Sequence, residues 1–354
     1  MTADAPPPRR KRTARFSEIA ELAGVSTATV DRVLNERGSV SADARKRVIA
    51  AARQLDVPRR LPDMRHGLIH IDVLLPDTDT PFFMRLRQAL QRSVQMLDRR
   101  VVTHLSILPA ANDKQIAAHI ERTTYRRAAL IVTARDSERV RDALSQATGR
   151  GEAVITMCTD IGGIHRAHYA GIDNYRAGCT AGYYIGRLAR RPGRVLVLTG
   201  RMDYGAHLDR TAGCRHQLAQ AFPDLVCGDE PIETLDLDDL CCKAVLKALR
   251  TRDEIVGIYN SGGGSAGIVA ALNKFDAAGR VVWIGHEMLD LHRTYIEAGT
   301  MDIVIDQDPD SQAISALQHA LHAAGVVEQP PPNDPVEFSV FCLANVRNAP
   351  YLCA

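Results

Sequence analysis

No run of 18 or more apolar residues occurs in the 354 residues, so no membrane span is expected. The N-terminus carries Pro6–Pro8 and the basic cluster Arg9, Arg10, Lys11 and Arg12, without the apolar core that a secretory leader needs. No C-x-x-C pair exists. The eight cysteines (158, 179, 214, 227, 241, 242, 342 and 353) are scattered, which excludes a disulfide framework or a zinc site and fits free thiols in a reducing cytoplasm. Nor is there an H-E-x-x-H, a metal cluster or a paired-carboxylate pattern, so no catalytic residue, metal or cofactor is expected. Aromatics are few, at 5%, and the net charge is only +2.

That small net charge conceals an asymmetry. Residues 1–66 hold 14 Lys and Arg against 8 Asp and Glu, while the rest of the chain holds 30 against 34. A basic head on a mildly acidic body points to a polyanionic partner for the head. Apolar content is 45%, enough for a substantial core, and the length suits a small domain followed by a large one. Residues 1–14, rich in Pro, Arg and Lys, have little to bury and read as a disordered basic tail.

The stretch Phe16–Asn35, FSEIAELAGVSTATVDRVLN, reads as two short helices with a tight corner. Ser17 is placed to cap the first, whose packed face is Ile19, Ala20, Leu22 and Ala23. Gly24 stops that helix, because glycine enters the left-handed region at no steric cost. Ser26 caps the second helix, with Val30, Val33 and Leu34 facing inward. Thr27, Ala28, Thr29, Asp31, Arg32 and Asn35 then face out, and short polar side chains at a helix start suit a major groove. A third helix follows, capped by Ser41, with an apolar stripe of Ala44, Val48, Ala51, Ala52 and Leu55.

Taken together, Ile19–Ala20, Leu22–Ala23–Gly24–Val25–Ser26, Thr29–Val30, Arg32–Val33–Leu34–Asn35 and Val40–Ser41 resemble the DNA-binding head of LacI-type transcriptional regulators. The resemblance places the head at residues 15–57 and implies double-stranded operator DNA as a partner. Thr27, Ala28 and Arg32 are then set at base edges, Ser26, Thr29 and Asn35 at phosphates, and Ser17 completes the set. It also implies a homodimer, through the half-site geometry of such heads. Relatives usually carry a hinge helix in the linker. Here residues 58–66 contain Pro62, which would break a helix this short, and Leu61 is its sole candidate for a minor-groove wedge.

From Leu68 the rhythm becomes strand–helix alternation, beginning with Leu68–Leu75, the helix Phe82–Leu97 and the strand Val101–Ile107, and running to the helix Pro309–Ala324. Apolar strands interleaved with amphipathic helices predict parallel sheets covered on both faces, and two such runs predict two doubly wound lobes. Ligands of such sheets sit at the carboxyl ends of the strands. Pro81–Phe82–Phe83, Gly171–Ile172–Asp173–Asn174 with Ala177–Gly178, Arg210 with Gly213, Tyr259–Asn260, Gly285–His286–Glu287 and Ile305–Asp306–Gln307–Asp308 resemble the type I periplasmic sugar-binding fold that LacI-type proteins use as an effector domain. The expected fold is thus a small all-α helix-turn-helix domain followed by an α/β two-lobed periplasmic-binding-protein-like domain over residues 67–345, with 346–354 as a C-terminal tail.

The resemblance implies an effector that is a sugar, polyol or sugar acid. Phe82 and Phe83 are placed to stack on a sugar's C–H face or to pack in the core. Asp160, Asn260, Glu287 and Gln307 are placed to bridge hydroxyls, Arg210 to add a forked donor, and Thr133 and Arg135 to contribute from the first lobe.

One stretch supports a competing reading. Gly262–Gly263–Gly264–Ser265–Ala266–Gly267 matches both the dinucleotide fingerprint G-x-G-x-x-G and the hydrolase elbow G-x-S-x-G. As an elbow it would need an acid and then a histidine, for which Asp290 with His292, His319 or His322 are available. A Rossmann domain puts this turn after its first strand, whereas here it follows many strand–helix units. The expected function is a cytoplasmic, effector-controlled transcriptional regulator rather than an enzyme. The alternative is a cytosolic nucleotide-binding or hydrolytic enzyme.

Overall fold

Three helices, α1 Phe16–Ala23, α2 Thr27–Leu34 and α3 Ala42–Gln54, close one small core in the head. The computed structural model describes residues 16–35, 37, 40–55, 57, 68–228, 230–251 and 254–351. The tail 1–14 and the linker 58–66, with the question of a hinge helix, lie outside the described residues. The chain divides into two compact units at Leu68/Ile69. In the head, Ile19, Ala20, Ala23, Val30, Val33, Leu34, Val48, Ile49, Ala51 and Ala52 are buried together. Gly24 adopts φ +63° at the corner, as a left-handed helix stop requires. Leu22 is the exception to the expected packed face. It is 46% exposed, because the buried stripe of α1 runs through Ile19, Ala20 and Ala23.

In the body, β1 Ile69–Pro76, α4 Pro81–Gln95, β2 Val101–Leu108, α5 Asp113–Glu121, β3 Arg127–Val132, α6 Glu138–Gly149, β4 Ala153–Met157 and β5 His168–Ala170 form lobe 1. Lobe 2 follows with α7 Asn174–Leu188, β6 Gly193–Thr199, α8 Gly205–Ala221, β7 Leu225–Cys227, β8 Ile232–Glu233, α9 Asp238–Leu249, β9 Ile255–Asn260, α10 Ser265–Lys274, β10 Val282–His286, α11 Asp290–Glu297 and β11 Ile303–Asp306. The chain then returns to lobe 1 as α12 Pro309–Ala323 and comes back to lobe 2 as β12 Ser339–Phe341. The first sheet has the order β2-β1-β3-β4-β5 and the second β12-β11-β10-β9-β6-β7, with β8 also paired to β6. Every pairing is parallel except β11 with β12. The elements β5, β7, β8, α9 and β12 fall outside the expected alternation.

Two apolar layers cover each sheet. In lobe 1, Ile71, Val73, Leu75, Ala129 and Ile131 pack with Leu86 and Leu90 of α4 and with Ala313, Ala316, Leu317 and Ala320 of α12, so α12 is by contact a lobe 1 helix. The opposite face buries Leu74, Leu130, Val132, Ile116, Ile120 and Leu144. In lobe 2, α7 and α8 cross closely. A Cβ on Gly178 would lie 2.0 Å from the Arg210 carbonyl oxygen, and one on Gly213 would lie 2.1 Å from that of Tyr175. The glycines therefore set the position of Arg210. Residues 346–351, expected as a tail, lie on lobe 2: Tyr351 meets Phe341 edge-on at 5.9 Å, and Arg293 donates to the Asn348 carbonyl at 2.8 Å. Among the described residues no helix is long and apolar enough to cross a membrane.

Candidate functional site

On the head, the second helix presents its outer face. Ser26 caps it, its hydroxyl accepting from the Thr29 amide at 3.1 Å and lying 2.9 Å from the Thr29 hydroxyl. Thr27, Ala28, Arg32 and Asn35 are exposed and Thr29 is half-buried. Asp31 is not a bare acid, since the Asn35 amide donates to it at 2.7 Å. Ser17 is exposed but lies inside α1, which already includes Phe16, so it does not precede that helix as a cap would.

In the body, the strand ends of the two lobes enclose a cavity of about 620 Å³. Six of the nine expected effector residues line it: Phe82, Phe83, Thr133, Arg210, Glu287 and Gln307; Arg135 does not, and pairs instead with Asp113 at 2.6 Å and Asp203 at 3.1 Å. Phe82 also belongs to the lobe 1 core and meets Phe83 edge-on at 5.2 Å. Thr133 uses its hydroxyl to donate to the Met157 carbonyl at 2.9 Å. Asp160 and Asn260 do not line the cavity. Asp160 is turned to Arg166, whose Nη2 lies 2.6 Å away, and accepts from Thr156 at 2.7 Å. Asn260 turns back onto its own loop and donates to the Gly263 carbonyl at 2.8 Å.

The floor is a chain of buried polar groups. Arg210 donates from Nε to Asn174 at 2.7 Å, from Nη1 to the Ser261 carbonyl at 2.9 Å, and from Nη2 to Gln307 Oε1. Gln307 in turn donates to Glu287 Oε1. Glu287 sits just past β10 with φ +69°, a conformation that a non-glycine residue holds only where its surroundings impose it. Its Oε2 makes no hydrogen bond and stands 3.6 Å from Arg85 Nη1, which prefers Asp306 at 2.6 Å. Burial, helped by the nearby Asp306, pushes the Glu287 carboxyl up to about 8. Burial also pushes His207 down to about 4, with the Arg210 charge adding to it, and holds His286 and His292 below the usual histidine range. At neutral pH His207, His286 and His292 are therefore neutral and Glu287 is largely protonated, beside the guanidinium groups of Arg210 and Arg85.

The same contacts hold the lobes together. Besides Arg85 with Asp306, Arg135 of lobe 1 reaches Asp203 of lobe 2 at 3.1 Å, and the Ala206 amide donates to Thr159 Oγ1 at 3.1 Å. Periodicity gave no signal for His207, Ser261, Asp236 or Cys158, all of which line the cavity. The one legible hint for Cys158 is its place directly after a strand. Burial pushes its thiol up to about 12, so it stays protonated.

The glycine-rich turn serves packing. Its Gly263 and Gly267 amides donate to the carboxylates of Asp236, at 2.6 Å, and Asp238, at 3.3 Å. Those acids occupy the donors that a pyrophosphate would need. A Cβ on Gly267 would lie 1.8 Å from the Asp238 carbonyl oxygen, so that glycine lets α9 and α10 touch. Ser265 does meet His292, Oγ to Nε2 at 2.7 Å. However, His292 Nδ1 contacts the Glu287 backbone carbonyl at 2.6 Å, while Asp290 accepts from the Tyr351 amide at 3.2 Å. The carboxylate that would orient a triad histidine is thus engaged elsewhere.

The family model described as bacterial regulatory proteins, lacI family, matches residues 16–57, and the periplasmic binding protein domain matches residues 71–325. The chain belongs to the periplasmic binding protein domain family over its body, and its head matches the lacI family model. Among similar curated proteins, the ribose operon repressor of Bacillus subtilis is 32% identical over 126 residues, covering 32% of this chain and 38% of that protein. The ribose operon repressor of Halalkalibacterium halodurans is 39% identical over 79 residues, 21% of this chain and 23% of that one. The match therefore spans well under half the length of these two repressors. Among solved structures, the glucose-galactose binding protein GanP of Geobacillus stearothermophilus aligns with TM-score 0.69 at 16% identity, covering 79% of this chain and 99% of that one. A periplasmic solute binding protein of Actinobacillus succinogenes with bound D-allose aligns with TM-score 0.68 at 21% identity, covering 78% and 98%. These two share the fold of the body.

Proposed function

We propose that the protein is a cytoplasmic transcriptional regulator that binds operator DNA through α2 as a homodimer, and whose affinity for that DNA is set by a small polyhydroxyl effector in the cavity. The observation that carries this reading is the floor Arg210–Gln307–Glu287, a connected line of donors and acceptors buried between two lobes of a chain that also carries a DNA-reading head. Glu287 Oε2 and His286 Nδ1 are buried without hydrogen-bond partners, and a ligand hydroxyl can satisfy either. The surrounding groups are mostly neutral, so a neutral sugar or polyol suits the floor better than a sugar acid. Ligand contacts to both lobes would favour closure, and a preference for one state is what couples two sites. On the head, Thr27, Ala28 and Arg32 read base edges, with Ser26, Thr29 and Asn35 on phosphates.

The test is selection of genomic fragments by the purified full chain, followed by retention of the selected fragment with and without a panel of pentoses, hexoses and inositols. A preferred fragment whose retention changes at least tenfold with one panel member supports the reading. Equal retention of all fragments, unchanged by every sugar, overturns it.

A further inference from the structure

The cavity has a polar buried floor, and at its exposed edge three large leucines stand among the acids Asp77, Asp79 and Asp238. Arg210, Glu287 and Gln307 are each less than a tenth exposed, whereas the lining residues Leu235, Leu237 and Leu291 are 43%, 52% and 48% exposed. A bare sugar bound at the floor leaves these leucines in water, where large apolar side chains gain nothing. Their placement is not a passive result of loop length. Leu235 and Asp236 are consecutive non-glycine residues in the left-handed region, at φ +52° and +62°. Each is costly to hold, and such residues concentrate at ligand clamps. The strained pair is fastened by the Gly263 amide donating to Asp236 at 2.6 Å. A Cβ on Gly262 would lie 2.3 Å from that carboxylate and one on Gly263 would lie 3.0 Å from Asp236 Cβ, so the glycine turn makes room for it. Leu291 comes from a different element, the first turn of α11. Two separate segments of lobe 2 therefore present apolar side chains to one opening.

Resting on the effector-binding reading above, we infer that the effector is amphipathic: a neutral polyhydroxyl head against Arg210, Gln307 and Glu287, carrying an apolar alkyl or aryl substituent that exits across Leu235, Leu237 and Leu291. A glycoside or an inositol ether has this chemistry. The polar head fixes orientation through directed hydrogen bonds, and the substituent adds affinity in proportion to the apolar surface it covers.

The experiment titrates the full chain, by calorimetry, with each panel sugar and its methyl, butyl and phenyl glycosides. For the sugar that binds, each methylene should tighten binding up to about fourfold, so the butyl or phenyl glycoside should bind at least tenfold tighter than the methyl glycoside. Leu235→Ser with Leu237→Ser should flatten that series while leaving the free sugar's affinity within twofold. Leu291→Asn should flatten it independently, and the melting temperature of each variant reports folding. Glycosides that bind no better than the free sugar overturn the inference and leave the regulator reading intact. A series that keeps its slope in both variants places the substituent elsewhere and also overturns it. No binding by any sugar or glycoside overturns both.

Discussion

Arg135 of one lobe and Asp203 of the other face each other at 3.1 Å between the two lobes. Arg201 shares the same carboxylate at 2.5 Å, and the Asp136 amide donates to the Asp203 carbonyl at 3.1 Å. Burial works against the charge on Asp203, but hydrogen bonds from Arg201 and Arg135 outweigh it and hold the carboxyl below the usual range. The pair is a clasp between the two lobes. A partly exposed ion pair is worth about 0.2–1 kcal/mol. Arg135→Ala should therefore weaken effector binding about two- to fivefold and enlarge the ligand-free radius of gyration in small-angle scattering. Unchanged affinity and radius would mean that closure does not depend on the clasp.

Glu287 makes the folding stability depend on pH. Its carboxyl moves from an ordinary 4.5 to about 8 in the folded protein. Between those values the folded state holds a proton that the unfolded state has released, so stability falls as pH rises from about 4.5 to 8 and levels off above. One pKa unit corresponds to about 1.4 kcal/mol. Relative to Glu287→Gln, the wild-type chain should thus lose a few kcal/mol, in order of magnitude, across that window in urea unfolding. Parallel pH profiles for the two proteins would contradict a buried protonated acid.

Gly178→Ala should damage both stability and binding. The added Cβ would lie 2.0 Å from the Arg210 carbonyl, and backbone cannot swing aside as a flexible side chain can. Overpacking of this kind costs about 1–3 kcal/mol, and displacing Arg210 breaks the floor's hydrogen bonds. Gly149→Ala, with open space around the new atom, is the control and should leave both unchanged. The melting temperature and the effector affinity measured on both variants check this.

Arg32→Ala tests the proposed DNA-reading face of α2. Arg32 is exposed and lies outside the head's buried core, so the fold should be unaffected. Specific binding should weaken by about 1–3 kcal/mol with relaxed base choice at one operator position. An equal loss on all DNA sequences, with a shallower salt dependence, would reassign Arg32 to a phosphate.

Much of this was legible from residue order alone, for identifiable reasons. Gly24, Ser26 and Ser41 could be assigned as a helix stop and two caps because each role needs one residue type at one offset, and the Ser26 and Ser41 hydroxyls do accept from Thr29 and Ala44. Phe82, Thr133, Glu287 and Gln307 could be placed at the cavity because each follows a strand or starts a helix at the sheet's carboxyl edge, whereas Arg210 lies in the second turn of α8 and was marked by its family resemblance. That rule gives position and not direction. Asp160 obeys it and turns to Arg166; Asn260 obeys it and ties down its own loop. The three-residue strands β5, β7 and β12 are too short to show an alternation. The mouth was illegible for a different reason: the left-handed backbone at Leu235 and Asp236 has no glycine to announce it.

The return of α12 to lobe 1 sets a schedule during synthesis. That sheet was complete by Ala170, yet the helix that seals it ends at Ala323. Until the ribosome has added those later residues, Ile71, Val73 and Ile131 lack the alanines and leucine that cover them. The core of the three-helix tip draws its described residues from 16–57 alone. A nascent chain thus completes its three-helix head long before its body, and one face of the first lobe stays uncovered until α12 has been made.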